Sequence, residues 1–160
     1  KLPQGVTPVF KTAEFALVPT PSNNRSLGEV KLTAPLDNDL LSGAEGLAGP
    51  EGWGRWSNDD HVRLHFKKPL PKRLNLFLTM QAFGPNVGKD FVVSVGGAGQ
   101  RVKLAPLQHE IFLQFETDGM QKTVTIDVPQ AMSPKELGWS ADIRRIGLGL
   151  WRVEIGTPAN

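Results

Sequence analysis

The chain has 160 residues, the size of one domain by the usual span of about 100–200 residues and enough to bury a single core. With 39% hydrophobic and 21% charged residues and no cysteine, wholesale disorder, disulfide scaffolds, thiol catalysis and Cys-based zinc sites are excluded. The net charge of +2 is too small for a nucleic-acid partner, and the tightest basic run, Lys67, Lys68, Lys72 and Arg73, reads as a solvated turn between strands.

Residues 1–26 carry Pro3, Pro8, Pro19 and Pro21 and the polar run Ser22-Asn23-Asn24, the composition of a linker or an arm lying on the domain. Lys1 in place of Met reads as the start of a fragment. The domain proper is expected over 27–156, with 157–160 as a tail. Its first strand carries Val30 and Leu32. Leu40 to Gly54, rich in Gly, Ala and Glu, reads as a long loop entering a Trp-rich turn. Period two then dominates: Val62-Leu64-Phe66, a turn at Pro69-Leu70-Pro71, and Leu74, Leu76, Leu78, Met80 and Ala82 facing one way against Asn75, Thr79 and Gln81. Phe91–Val95 is a β-branched run ending at Gly96-Gly97, and Val102 and Leu104 belong to the next strand. Ile111-Leu113-Phe115 and Val124-Ile126-Val128 add two more. Ser133-Pro134-Lys135-Glu136-Leu137, stopped by Gly138, is the best helical turn, with Ser as cap and Pro at the first position. The last strand, Ile146 to Ile155, sets Ile146, Leu148 and Leu150 against Gly147, Gly149 and Trp151. About eight strands, at most one short helical turn and no crossover helices predict an all-β, antiparallel sandwich of jelly-roll type. No stretch approaches the roughly 18 apolar residues that span a bilayer.

Catalytic and metal chemistry find little support. His61 and His65 share a strand face but stand about 13 Å apart at ~3.3 Å per residue, too far for one metal. Asp59 and Asp60, with Asn58 beside them, leave only weak calcium binding open. No Gly-x-Ser-x-Gly elbow is present, Gly96-Gly97-Ala98-Gly99 lacks the Lys-Ser/Thr of a phosphate loop, and adjacent Asp residues do not face one another across a glycosidic bond. No catalytic residue, metal ligand or cofactor is therefore assigned.

Two constellations stand out. Gly52-Trp53-Gly54-Arg55-Trp56-Ser57-Asn58 could form an aromatic platform for sugar rings, whose C–H faces stack on indoles while Arg and Asn bond hydroxyls. Its structural alternative puts Trp56 in the core and makes Arg55 a loop anchor. In Gly138-Trp139-Ser140-Ala141-Asp142-Ile143-Arg144-Arg145, Asp142 with Arg144 or Arg145 reads as an ion pair locking the loop into the last strand, with a polar ligand rim as the competing role.

The segments Gly54-Arg55-Trp56-Ser57-Asn58, Lys68-Pro69-Leu70-Pro71-Lys72, Ser133-Pro134, Leu137-Gly138 and Arg145-Ile146-Gly147-Leu148-Gly149-Leu150 resemble the C-terminal domain of the phosphoglycerol transferase I family. The resemblance covers roughly 50–156. It implies a periplasmic, membrane-anchored parent enzyme that decorates osmoregulated glucans, with an upstream alkaline-phosphatase-like catalytic domain that nothing here matches. The chain would then be a non-catalytic accessory domain that docks glucan, or another envelope carbohydrate, or positions the catalytic domain. Trp53, Arg55, Asn58 and Trp139 are the candidate carbohydrate contacts. A ligand-free structural or interaction domain is the alternative, and a stand-alone hydrolase a third.

Overall fold

The period-two runs become antiparallel strands stacked in two layers. In the computed structural model, which describes residues 23–159, these are β1 (Asn24–Lys31), β2 (Leu41–Glu45), β3 (Arg55–Trp56), β4 (His61–Phe66), β5 (Arg73–Ala82), β6 (Asp90–Val95), β7 (Ala98–Lys103), β8 (His109–Glu116), β9 (Thr123–Asp127) and β10 (Leu148–Pro158). One sheet has the order β1-β10-β5-β8, with the short β3 also pairing with β10; the other has the order β2-β4-β9-β6-β7. Hereafter they are the first and second sheets. The architecture is the expected all-β sandwich. The expected arm over 1–26 lies almost wholly outside the described residues.

The core lies between the two inner faces. Leu74, Leu76, Leu78, Met80 and Ala82 of β5, with Leu148, Leu150, Val153 and Ile155 of β10, meet Val62 and Leu64 of β4, Phe91 and Val93 of β6, and Val124 and Ile126 of β9. Alternate residues of a strand point to opposite faces, so the other half of β5 (Asn75, Phe77, Thr79 and Gln81) belongs to the outer face of the first sheet.

The last strand breaks simple alternation. Leu148 and Leu150 face the core, yet so do Val153 and Ile155, which have the opposite parity. A β-bulge between Leu150 and Arg152, opposite Met80 and Thr79 of β5, absorbs Trp151 as an extra residue and resets the parity. Trp151 and Arg152 are thereby both freed from the core.

Two elements were not legible as strands. β2 lies inside the segment read as a loop over Leu40 to Gly54. Its residues Leu-Ser-Gly-Ala-Glu lack the β-branched and aromatic residues that mark a strand. Pairing with β4 makes it one: Ala44 opposite Leu64 and Glu45 opposite Arg63. β3 is only two residues long and exists through its pairing with Leu150 and Gly149.

The turns follow their residues. Gly96, with φ of 62°, joins β6 to β7 through a two-residue loop, since Val95 pairs with Ala98. Ser133 and Glu136 exchange backbone and side-chain hydrogen bonds of 2.9 and 3.0 Å, a capping box on a single turn that Gly138, at φ of 78°, ends. Gly54 is required for a different reason. A Cβ there would strike the Leu150 carbonyl, where the turn before β3 lies on the β10 backbone. Gly54→Ala is therefore expected to cost about 1–3 kcal/mol, as overpacking does, read as a lowered urea midpoint. A midpoint equal to that of the parent chain would show that the turn does not need this close approach.

Candidate functional site

The bulge at Trp151 and the turn before β3 bring aromatic rings together over the outer face of the first sheet. Trp53 lies 4.9 Å from Trp151 between ring centroids, the planes tilted by 42°, and 4.8 Å from Trp56, edge to face. The row continues from Trp56 to Phe83 and from Phe83 to Trp139, each step 5.5 Å. Gly149 makes this possible. A Cβ on it would come within 3.1 Å of Trp53 Cη2 and Trp56 Cζ3, so the rings rest almost on bare backbone. Gln81 Oε1 accepts a 2.8 Å hydrogen bond from Trp151 Nε1 and holds that indole in place.

Beside this row is an open groove of about 450 Å³ lined by Lys31, Thr33, Gly52, Trp53, Thr79, Gln108, Trp151 and Arg152. Its volume is that of an ordinary small-ligand site, roughly 300–1,000 Å³. Its make-up is two indoles with hydroxyl, amide and cationic groups around them.

Of the four residues expected to contact carbohydrate, the structure brings only Trp53 to this groove. Arg55 faces inward: it is 7% exposed, and Nε, Nη1 and Nη2 donate to the carbonyls of Leu32, Ala48 and Ala34 at 3.0, 3.1 and 3.0 Å. Burial pushes its pKa down from the usual guanidinium range. It ties two loops to β3, the anchor role that its position beside Trp56 also suggested. Asn58 Oδ1 accepts the backbone N–H of Arg145 at 3.1 Å, away from the groove. Trp139, 62% exposed, stands at the far end of the aromatic row. Trp56 is half-buried against Trp53 and Phe83 and is not part of the core between the sheets.

Of the two arginines that the sequence offers as partners for Asp142, Arg144 is the one that lies against it. Arg144 grips Asp142 with Nη2 to Oδ2 at 2.6 Å and reaches Glu51 at 3.5 Å. Arg145 points elsewhere, to Asp60 at 3.3 Å and the Ala131 carbonyl at 3.0 Å, because neighbouring residues in an extended segment diverge. Asp60 is thus engaged by a cation. His61 and His65 take separate acidic partners, Asp127 at 2.7 Å and Glu45 at 2.8 Å. No group of three or more metal-ligating side chains occurs among the described residues.

Sequence reasoning missed Trp151, Arg152, Thr79 and Gln108 as groove residues. The alternation of β10 had already placed Trp151 opposite Leu148 and Leu150, which was the one usable sign. Arg152 could not be placed without the bulge. It lies opposite Thr79 on one side and Lys31 on the other. Its guanidinium bonds Glu29 and Glu154, and Glu110 at 3.1 Å.

The Arg152 bond, the largest influence, holds the Glu29 carboxyl below the usual carboxylate range. Arg144 does the same for Asp142, and the Met120 backbone N–H for Asp118. In acid the unfolded chain therefore binds more protons than the folded one at these groups, so stability rises with pH. This contribution is complete above the ordinary carboxylate pKa of about 4 and is lost as pH falls through the lowered native values. Arg144 and Arg152, raised by the same pairs, stay charged throughout. Urea midpoints between pH 7 and pH 2 should be level down to about pH 5 and fall below it; a midpoint rising toward pH 2 would contradict the pairing.

These features define a class: an all-β, two-sheet antiparallel sandwich. BiXyn10A CBM1 in its apo form superposes with a TM-score of 0.50 at 9% identity, covering 82% of this chain and 98% of that one. The likeness is one of fold. A family model described as "Domain of unknown function (DUF7024)" matches residues 25–157, and the chain belongs to that family. Phosphoglycerol transferase I from Salmonella paratyphi B and from Salmonella typhimurium are both similar to it, at 35% identity over 116 residues, 69% of this chain. The chain spans 15% of the length of these relatives.

Proposed function

We propose that this chain is a non-catalytic accessory domain of a phosphoglycerol transferase-like protein and that it docks glucan on the outer face of its first sheet. The observation that carries this reading is the groove itself, in which Trp53 and Trp151 offer two adjacent, mutually tilted indole surfaces. Pyranose rings present C–H faces to such surfaces, and Thr79, Thr33 and Gln108 stand within the same lining to exchange hydrogen bonds with hydroxyls. The similarity to phosphoglycerol transferase I supports a bacterial envelope setting, with a membrane-anchored parent and the transfer chemistry carried by another part of the polypeptide. Titrating the 160-residue chain with neutral gluco-oligosaccharides tests this. Tryptophan fluorescence should change saturably, and the chain should be retarded in glucan-containing gels. No fluorescence change and no retardation would refute docking.

One observation favours a second reading, contact with another protein domain. Trp139 and Ile143, 62% and 72% exposed, sit on one loop outside the groove. If that loop positions the catalytic domain, Trp139→Ala should weaken domain association and leave glucan binding intact.

A further inference from the structure

We infer that the Trp53–Trp151 groove is built for uncharged saccharide and discriminates against glycans carrying anionic substituents. This rests on the docking reading above. The argument starts from Arg152, which lies in the groove lining and would be the obvious grip for a phosphate. A bidentate grip needs two parallel N–H groups on one edge of the guanidinium. Each nitrogen of Arg152 already donates to a carboxylate, Nε to Glu29, Nη1 to Glu110 and Nη2 to Glu154, so three of its five N–H groups are engaged and its charge is shared among three anions.

The three carboxylates come from three different strands, β1, β8 and β10, and converge on the one cation that the bulge turns outward. Glu29 and Glu154 stand directly opposite each other in the β1–β10 register. Lys31 adds one more positive charge nearby and also acts on Glu29. Counted around Arg152, the outer face here carries two cations, both in the groove lining, against three carboxylates, a net charge of −1. A substituent phosphate brought to this face meets a guanidinium whose charge three carboxylates already offset, and a surplus of its own sign. Neutral hydroxyls meet none of that repulsion.

Affinity should therefore depend on substituent charge and on salt. Titration calorimetry would compare neutral gluco-oligosaccharides with phosphate-monoester derivatives of the same oligosaccharides, at low and at high ionic strength. At low salt the phosphorylated probe is expected to bind roughly tenfold more weakly, from one unit of repulsion at about 6 Å in a partly screened medium. The gap should narrow at about 1 M salt, where the screening length falls to ~3 Å. The double substitution Glu29→Gln and Glu110→Gln, which removes two of the three negative charges around Arg152, should shift preference toward the phosphorylated probe. Equal or tighter binding of the phosphorylated probe by the parent chain would overturn the inference while docking stands. Binding of neither probe would overturn docking and the inference with it.

Discussion

Arg55→Ala is expected to lower stability by about 3–5 kcal/mol, the range for leaving several buried polar groups without partners. The guanidinium ties together the carbonyls of Leu32, Ala34 and Ala48, all three in segments between strands. At about 2–4 °C per kcal/mol for a domain of this size, the melting temperature should drop by roughly 10 °C. Arg55→Lys should recover little of it, because a single ammonium cannot fork toward three separated acceptors. Scanning calorimetry on both variants decides the matter. A loss within about 0.5 kcal/mol, the ordinary range for surface substitutions, would mean that water replaces the guanidinium at no cost. Any Arg55→Ala chain that remains folded at low temperature should still bind glucan, since the residue does not reach the groove.

The second large effect concerns the indoles. Trp53→Ala and Trp151→Ala should each weaken binding of neutral gluco-oligosaccharides about 30-fold or more, the loss of at least ~2 kcal/mol seen when an aromatic anchor is truncated. Trp53 contributes its own face and buttresses both Trp56 and Trp151. Trp151 carries the hydrogen bond to Gln81 that orients its ring. Both variants should also lose some stability, as they remove half-buried aromatic area, so binding is to be measured on chain verified as folded by circular dichroism. Trp139→Ala is the comparison. It stands two rings away from Trp53, past Trp56 and Phe83, and should change affinity by less than about threefold, within 0.7 kcal/mol. Should Trp139→Ala prove as damaging as Trp53→Ala, the ligand runs along the whole aromatic row and the groove is only part of the site.

Legibility differed sharply between fold and site. β5 was readable end to end, because its inner face is entirely aliphatic or Met and Ala and its other face is polar except at Phe77. Phe91–Val95 and the Gly96-Gly97 turn were equally plain. β2 was not, since an edge strand of small residues owes its conformation to the ladder that β4 offers and not to its own side chains. Trp53 stands out in the sequence through the Gly52–Asn58 run, and the structure places it in the groove lining. Arg55 and Asn58 were chosen for the same chemistry, but hydrogen-bonding side chains serve backbone and ligand alike, and only their neighbours tell which. Arg55 found three carbonyls within reach and Asn58 found the Arg145 N–H.

What the sequence determined by itself was local: a composition without cysteine, strands from period two, and turns from Gly and Pro. What only the tertiary structure decided was which side chains share a surface. Arg152 joins Trp151 at the groove because a bulge shifts β10 by one residue, and a shift of one exchanges the buried face for the exposed one. Trp53 meets Trp151 across 98 positions of chain because Gly54 and Gly149 let a turn lie against β10. Such proximity depends on pairing between distant segments, and no pattern within either segment carries it.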